Sequence, residues 1–98
     1  MTIKKTKEGS SLIVTVEGRL DTTTSPELSK ELDNSLDNIN KLIFDFSKLE
    51  YISSSGLRVL LSAQKAMRSR GSMTVKNVPE MIMEIFEITG FTDILTIE

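Results

Sequence analysis

Apolar and polar residues follow two rhythms along this chain, one near every second residue and one near every third or fourth, and the rhythm changes at glycine or proline. Ile3 to Lys7 reads as a weak edge strand turning at Glu8-Gly9-Ser10 into Leu12-Ile13-Val14-Thr15-Val16. The β-branched content and partial alternation of that second run predict a strand with one buried face, hairpinned to the first. After Gly18, the hydroxyls of Thr22, Thr23, Thr24 and Ser25 precede Pro26, which suits a first helical position because its missing N–H has no partner there. A helix is predicted from about Ser25, with Leu28, Leu32, Leu36 and Ile39 inward and Glu27, Lys30, Glu31 and Asp33 toward water.

The nearly continuous apolar run Leu42-Ile43-Phe44-Asp45-Phe46 predicts a central strand covered on both faces, within which Asp45 needs a polar partner and is read as structural. A loop over Ser47 to Ile52 leads to Ser53-Ser54-Ser55-Gly56. A second helix follows, with Leu57, Leu60, Leu61 and Met67 on one side, Arg58, Ser62, Lys65 and Ser69 on the other, and Gly71 as its C-cap. Met73 to Lys76 is a further strand. Pro79 opens a last helix with Ile82, Ile85, Phe86 and Thr89 inward and Gly90 at its end, and Ile94 to Ile97 closes the chain. Strands alternating with helices over short connections predict an α/β fold with a mostly parallel or mixed sheet and an antiparallel N-terminal pair.

Composition narrows the chemistry. Its 98 residues suit a single domain, 1-98, and 39% apolar with 27% charged residues is the balance of a packed fold. Twelve Lys and Arg against fourteen Asp and Glu give a net charge of -2, so nucleic acid is not an expected partner. No run approaches the roughly 18 to 20 apolar residues that cross a bilayer, and Met1 to Thr6 soon turns polar. The expectation is a cytoplasmic protein without membrane insertion. Zero cysteines remove disulfides and thiolate metal sites, and zero histidines remove Ser-His-Asp and Cys-His nucleophile pairs, the usual zinc sites and phosphohistidine chemistry. A Walker A pattern is absent as well. No catalytic residue, metal or cofactor is expected, and the chain reads as a regulated binding surface rather than an enzyme.

One segment exceeds the needs of packing. Capping a helix takes one serine, yet Ser53, Ser54 and Ser55 stand in a row, and Gly56 after them predicts a sharp bend or the close approach of another molecule. A phosphate on Ser54 would sit at a helix N-terminus, where unpaired N–H groups and the helix dipole accept negative charge. A protein docked over the same point would meet that charge unfavourably.

The run Asp45-Phe46-Ser47-Lys48-Leu49-Glu50-Tyr51-Ile52-Ser53-Ser54-Ser55-Gly56-Leu57, preceded by Gly18-Arg19-Leu20-Asp21, resembles the STAS family of anti-sigma factor antagonists. Gly71, Pro79 and Ile88-Thr89-Gly90-Phe91 fall where that family has a turn, its last helix start and that helix's end. The resemblance spans essentially the whole chain. It implies a STAS-like mixed sheet of four to five strands flanked by three to four helices, and a role in partner switching. In that role the unphosphorylated form binds an anti-sigma factor that is also a serine kinase, phosphorylation releases it, and a protein serine phosphatase restores it. By position the acceptor serine maps onto Ser54, with Ser53 and Ser55 as alternatives, and the implied partner surface comprises Asp21, Thr22, Ser53, Ser54, Ser55, Gly56, Leu57 and Arg58. Two positions depart from the commonest pattern: Ser53 stands where aspartate is usual and Arg58 where glycine is frequent. A second reading is an unphosphorylated STAS subunit that stabilises a transporter or lipid-trafficking ATPase.

Overall fold

In the computed structural model, which describes all 98 residues, five strands and three helices follow in the order β1 (Thr2–Glu8), β2 (Ser11–Leu20), α1 (Ser25–Asp33), β3 (Lys41–Asp45), β4 (Leu49–Ile52), α2 (Ser54–Arg68), β5 (Ser72–Lys76) and α3 (Glu80–Thr89). A 3-10 turn, Phe91–Asp93, follows α3. The main sheet runs β1-β2-β3-β5, antiparallel between β1 and β2 and parallel elsewhere. Its register stacks Leu12 beside Leu42 beside Met73, and Val14 beside Phe44 beside Val75. These six side chains share one face and are buried, as the two-residue period of a strand requires. That face meets Leu28 and Leu32 of α1, Leu60, Ala63 and Met67 of α2, and Ile82 and Phe86 of α3 in one core.

Three of the expected element bounds are corrected. Leu49–Ile52 is not loop but strand β4, parallel to the far end of β2 with Leu20 opposite Ile52. Pairing along β2 passes from β3, which ends opposite Thr15, to β4, which begins opposite Gly18. Its register then shifts at a bulge between Gly18 and Arg19, where Gly18 takes φ of 96° and its N–H bonds the Lys48 carbonyl at 3.0 Å. Helix α1 ends at Asp33, so Leu36 and Ile39 reach the core from an irregular connection. Asp33-Asn34-Ser35 breaks the helix because short polar side chains compete for backbone groups, and the Ser35 hydroxyl donates to the Glu31 carbonyl at 2.7 Å. Helix α2 ends at Arg68 rather than at Gly71. Gly71 is required by proximity instead, because a Cβ there would lie 1.9 Å from the Asn40 carbonyl oxygen.

The second face of β3 is only half covered, with Ile43 and Asp45 partly exposed. On α3, Thr89 faces solvent, and its hydroxyl donates back to the Ile85 carbonyl at 2.7 Å. Gly90 ends that helix in the left-handed conformation, as the sequence implies. The C-terminal segment then returns to β5, where Val75 donates to the Thr96 carbonyl and Glu98 donates to the Val75 carbonyl, both at 2.9 Å. No helix is long and apolar enough to cross a membrane.

Candidate functional site

Because β2 and β4 run parallel with Leu20 level with Ile52, the segments leaving them emerge side by side at the carboxyl edge of the sheet. Residues 21 to 24 leave β2 for α1, and Ser53 leaves β4 for α2. The two are tied by the backbone, since the Ser53 N–H donates to the Leu20 carbonyl at 2.9 Å. Side chains tie them again: the hydroxyls of Thr22 and Ser55 lie 3.4 Å apart. Asp21, Thr22 and the serine cluster, 30 or so residues apart in the chain, therefore share one surface.

Each serine has a different position. Ser53 is the N-cap, extended in backbone, with its hydroxyl accepting from the Gly56 N–H across a long 3.4 Å. Ser55 is half-buried against Thr22. Ser54, the first helical residue, is exposed. Its place in the first turn puts its hydroxyl beside N–H groups that have no partner inside the helix.

Gly56 and Leu57 turn away from this surface. A Cβ on Gly56 would stand 2.8 Å from Ile52 Cγ1 and 2.9 Å from Leu20 Cγ, so the glycine seats α2 against the ends of β2 and β4. Neither a sharp bend nor an approaching ligand explains it. Leu57 is 6% exposed and belongs to the core. The surface narrows to Asp21, Thr22, Ser53, Ser54, Ser55 and Arg58, of which Thr22, Ser54 and Arg58 are the most open.

Asp21 is held by its own loop. Its Oδ1 accepts from the Thr23 and Thr24 N–H groups at 3.0 and 3.1 Å, and its own N–H donates to the Thr24 hydroxyl at 2.8 Å. The Thr24 hydroxyl in turn donates to the Arg19 carbonyl at 2.8 Å. The Thr24 N–H above all, with its hydroxyl, the Thr23 N–H and the Arg19 charge, keeps the Asp21 carboxyl below its ordinary 3.8 despite some desolvation. Sequence reasoning missed Thr24 as the clamp of this turn; the signal was its spacing of three from Asp21. It also missed Arg19, whose guanidinium lies 4.4 Å from the Tyr51 ring centroid, because that contact needed the unrecognised strand β4.

A shallow cleft opens between the first turns of α1 and α2, lined by Thr22, Ser25, Ser29, Ser55 and Arg58 among others. Arg58 is its only charged residue. The Ser25 hydroxyl is buried there without a hydrogen-bond partner.

A mixed sheet with α-helical crossovers, two of whose parallel strands deliver a clamped aspartate loop and an open serine to one edge, defines the class of domain. The STAS domain family model matches residues 2–98, and the chain belongs to that family. It is 30% identical over 99 residues to BtrV of Bordetella bronchiseptica, named as a candidate anti-sigma factor antagonist, spanning 99% of this chain and 85% of that protein. The anti-sigma-B factor antagonist of Listeria monocytogenes is 28% identical over 96 residues, or 96% of this chain and 84% of that one. Among solved structures, the Bacillus cell fate determinant SpoIIAA in its phosphorylated form superposes with a TM-score of 0.77 at 14% identity, over 99% of this chain and 91% of that one. This last likeness is one of fold.

Proposed function

We propose that this chain is an anti-sigma factor antagonist that binds an anti-sigma factor with serine kinase activity and is released when that partner phosphorylates Ser54. The observation that carries the reading is the open Ser54 at the start of α2, beside the Asp21–Thr22 loop, in a chain whose relatives bear the names of such antagonists. In the transfer, the Ser54 oxygen bonds the γ-phosphorus of ATP as the bond to the β-phosphate oxygen breaks. ADP leaves, and the hydroxyl proton passes to a base on the kinase. Hydrolysis by a phosphatase returns the hydroxyl and inorganic phosphate.

Geometry favours a switch that spares the fold. A phosphate on Ser54 stands in solvent at a helix N-terminus, where it is tolerated. A docked partner instead meets about -1.5 to -2 added charges. At an effective dielectric near 20, two unit charges about 4 Å apart interact by about 4 kcal/mol, and about 1.4 kcal/mol is tenfold in affinity. A loss of about a hundredfold or more in binding is the expected size.

The test is incubation with ATP and each candidate serine kinase of the same genome, with the phosphate located by mass spectrometry. Phosphate on Ser54 in the wild type and none on Ser54→Ala is expected. Full phosphorylation of Ser54→Ala moves the acceptor to Ser53 or Ser55. A stable complex that ATP never dissociates, with no phosphate on any serine, favours the unswitched subunit of a transporter or lipid-trafficking ATPase. Ser53, a hydroxyl where a carboxylate is usual, keeps that second reading in the comparison.

A further inference from the structure

Six of the twelve Lys and Arg side chains sit within ion-pair distance of a carboxylate: Lys4, Lys5, Arg19, Lys48, Arg70 and Lys76. Arg58 does not, although it is exposed on the surface where the serines cluster. It stands four residues after Ser54 and three after Ser55 on one helix, spacings that bring side chains together on a helix surface. Helical side chains lean toward the N-terminus, so the Arg58 side chain lies back over the first turn of α2. Its presence with Ser55 in the lining of the α1–α2 cleft agrees with that direction. The cleft lining, which includes the buried, unpartnered Ser25 hydroxyl but not Ser54, holds no carboxylate to engage Arg58.

We propose that Arg58 grips the phosphate of Ser54 within the same chain, so that modification adds negative charge and withdraws the one free cation of this surface from the partner. The inference rests on the phosphoserine reading given above. A guanidinium and a phosphate dianion form paired, charge-assisted hydrogen bonds, which a lysine at the same place reproduces only as a point charge. The grip also answers why a long cationic side chain is tolerated beside a site of modification. In the unmodified chain Arg58 is free to meet a carboxylate of the partner, and in the modified chain it is occupied.

The experiment places phosphoserine at position 54 during translation of the full chain, with no kinase involved, in the wild type, Arg58→Ala and Arg58→Lys. Phosphorus NMR titration gives the second phosphate pKa, and nitrogen-proton spectra follow the Arg58 Nε–H. The wild type should show a pKa about half a unit below that of Arg58→Ala, with Arg58→Lys between them. Its Nε–H resonance should move on phosphorylation and resist exchange. Equal pKa values in wild type and Arg58→Ala overturn the grip, and so does a lowered pKa with an unmoved Nε–H. Because the phosphate is installed directly, either failure leaves the kinase reading standing, and a kinase that ignores Ser54 leaves this measurement valid.

Discussion

At the scale of single residues, neighbouring serines carry different burdens. Ser53 caps α2 and Ser54 points to water. Ser53→Ala should lower stability by about 0.5 to 1 kcal/mol, the lower part of the range for lost caps because the bond is long, while Ser54→Ala should stay within about 0.5 kcal/mol of wild type. Urea unfolding of the two variants checks the order, and a larger loss for Ser54→Ala would contradict the assignment. Asp45 shows a different burden. The Ser47 N–H, which its Oδ1 accepts at 3.0 Å, chiefly lowers its pKa, helped by the Asn77 amide at 3.2 Å and opposed by desolvation. A folded-state pKa below the unfolded value means that folding favours the ionised form. Its contribution is therefore whole above the unfolded value, about 3.9, and drains away as pH falls through the folded one. Asp21 acts in the same direction. Urea midpoints measured from pH 7 to pH 2 should hold steady to about pH 5 and then fall. Asp45→Asn should flatten the fall, and an identical decline in that variant would remove Asp45 as a cause.

Among elements, the helix α2 joins stability to site. Leu60, fully buried, anchors it, and Leu60→Ala should cost about 2 to 5 kcal/mol. Gly56→Ala sets two effects against each other: alanine gains about 1 kcal/mol of helix propensity, but its methyl would press on Ile52, Leu20 and the Leu20 carbonyl at 3.0 Å or less. Rigid neighbours on two strands decide the sign. A net loss of about 1 to 2 kcal/mol is expected, and a rise in the thermal midpoint would show that the contact yields. The same helix shows what sequence reveals. Its inward residues Leu57, Leu60 and Met67, its outward Arg58 and Lys65, and its start at the serines follow from a 3.6-residue period. Strand β4 was hidden because four residues, Leu49-Glu50-Tyr51-Ile52, are too few for a period to declare itself and their pairing depends on a bulge in a distant strand. Leu36 and Ile39 continue the helical spacing of Leu28 and Leu32 because burial imitates helical phase even where the backbone is irregular. The meeting of Asp21 with the serine cluster was legible through the family resemblance, while the parallel pairing that produces it runs through the hidden strand β4. The inward turn of Gly56 was not, because glycine serves bends and tight contacts alike.

For the whole molecule, the proposed phosphorylation of Ser54 would take the formal charge from -2 to about -4, with the change confined to one corner. Screening then distinguishes charge from shape. Between about 0.1 and 1 M salt the screening length falls from about 10 to 3 Å. The affinity lost by Ser54→Asp toward the proposed anti-sigma partner should therefore shrink markedly in calorimetric titrations across that range. A penalty indifferent to salt would point to steric exclusion instead.

The return of the C-terminal segment to Val75 has a consequence for how any visitor is received. That return covers Val75 on one border of the sheet, and β1 on the opposite border carries the exposed Lys4, Lys5 and Lys7, so both borders discourage another chain from joining by main-chain pairing. In the switch proposed above, recognition then rests on the few side chains at the corner of Ser54, where one added group rewrites the message.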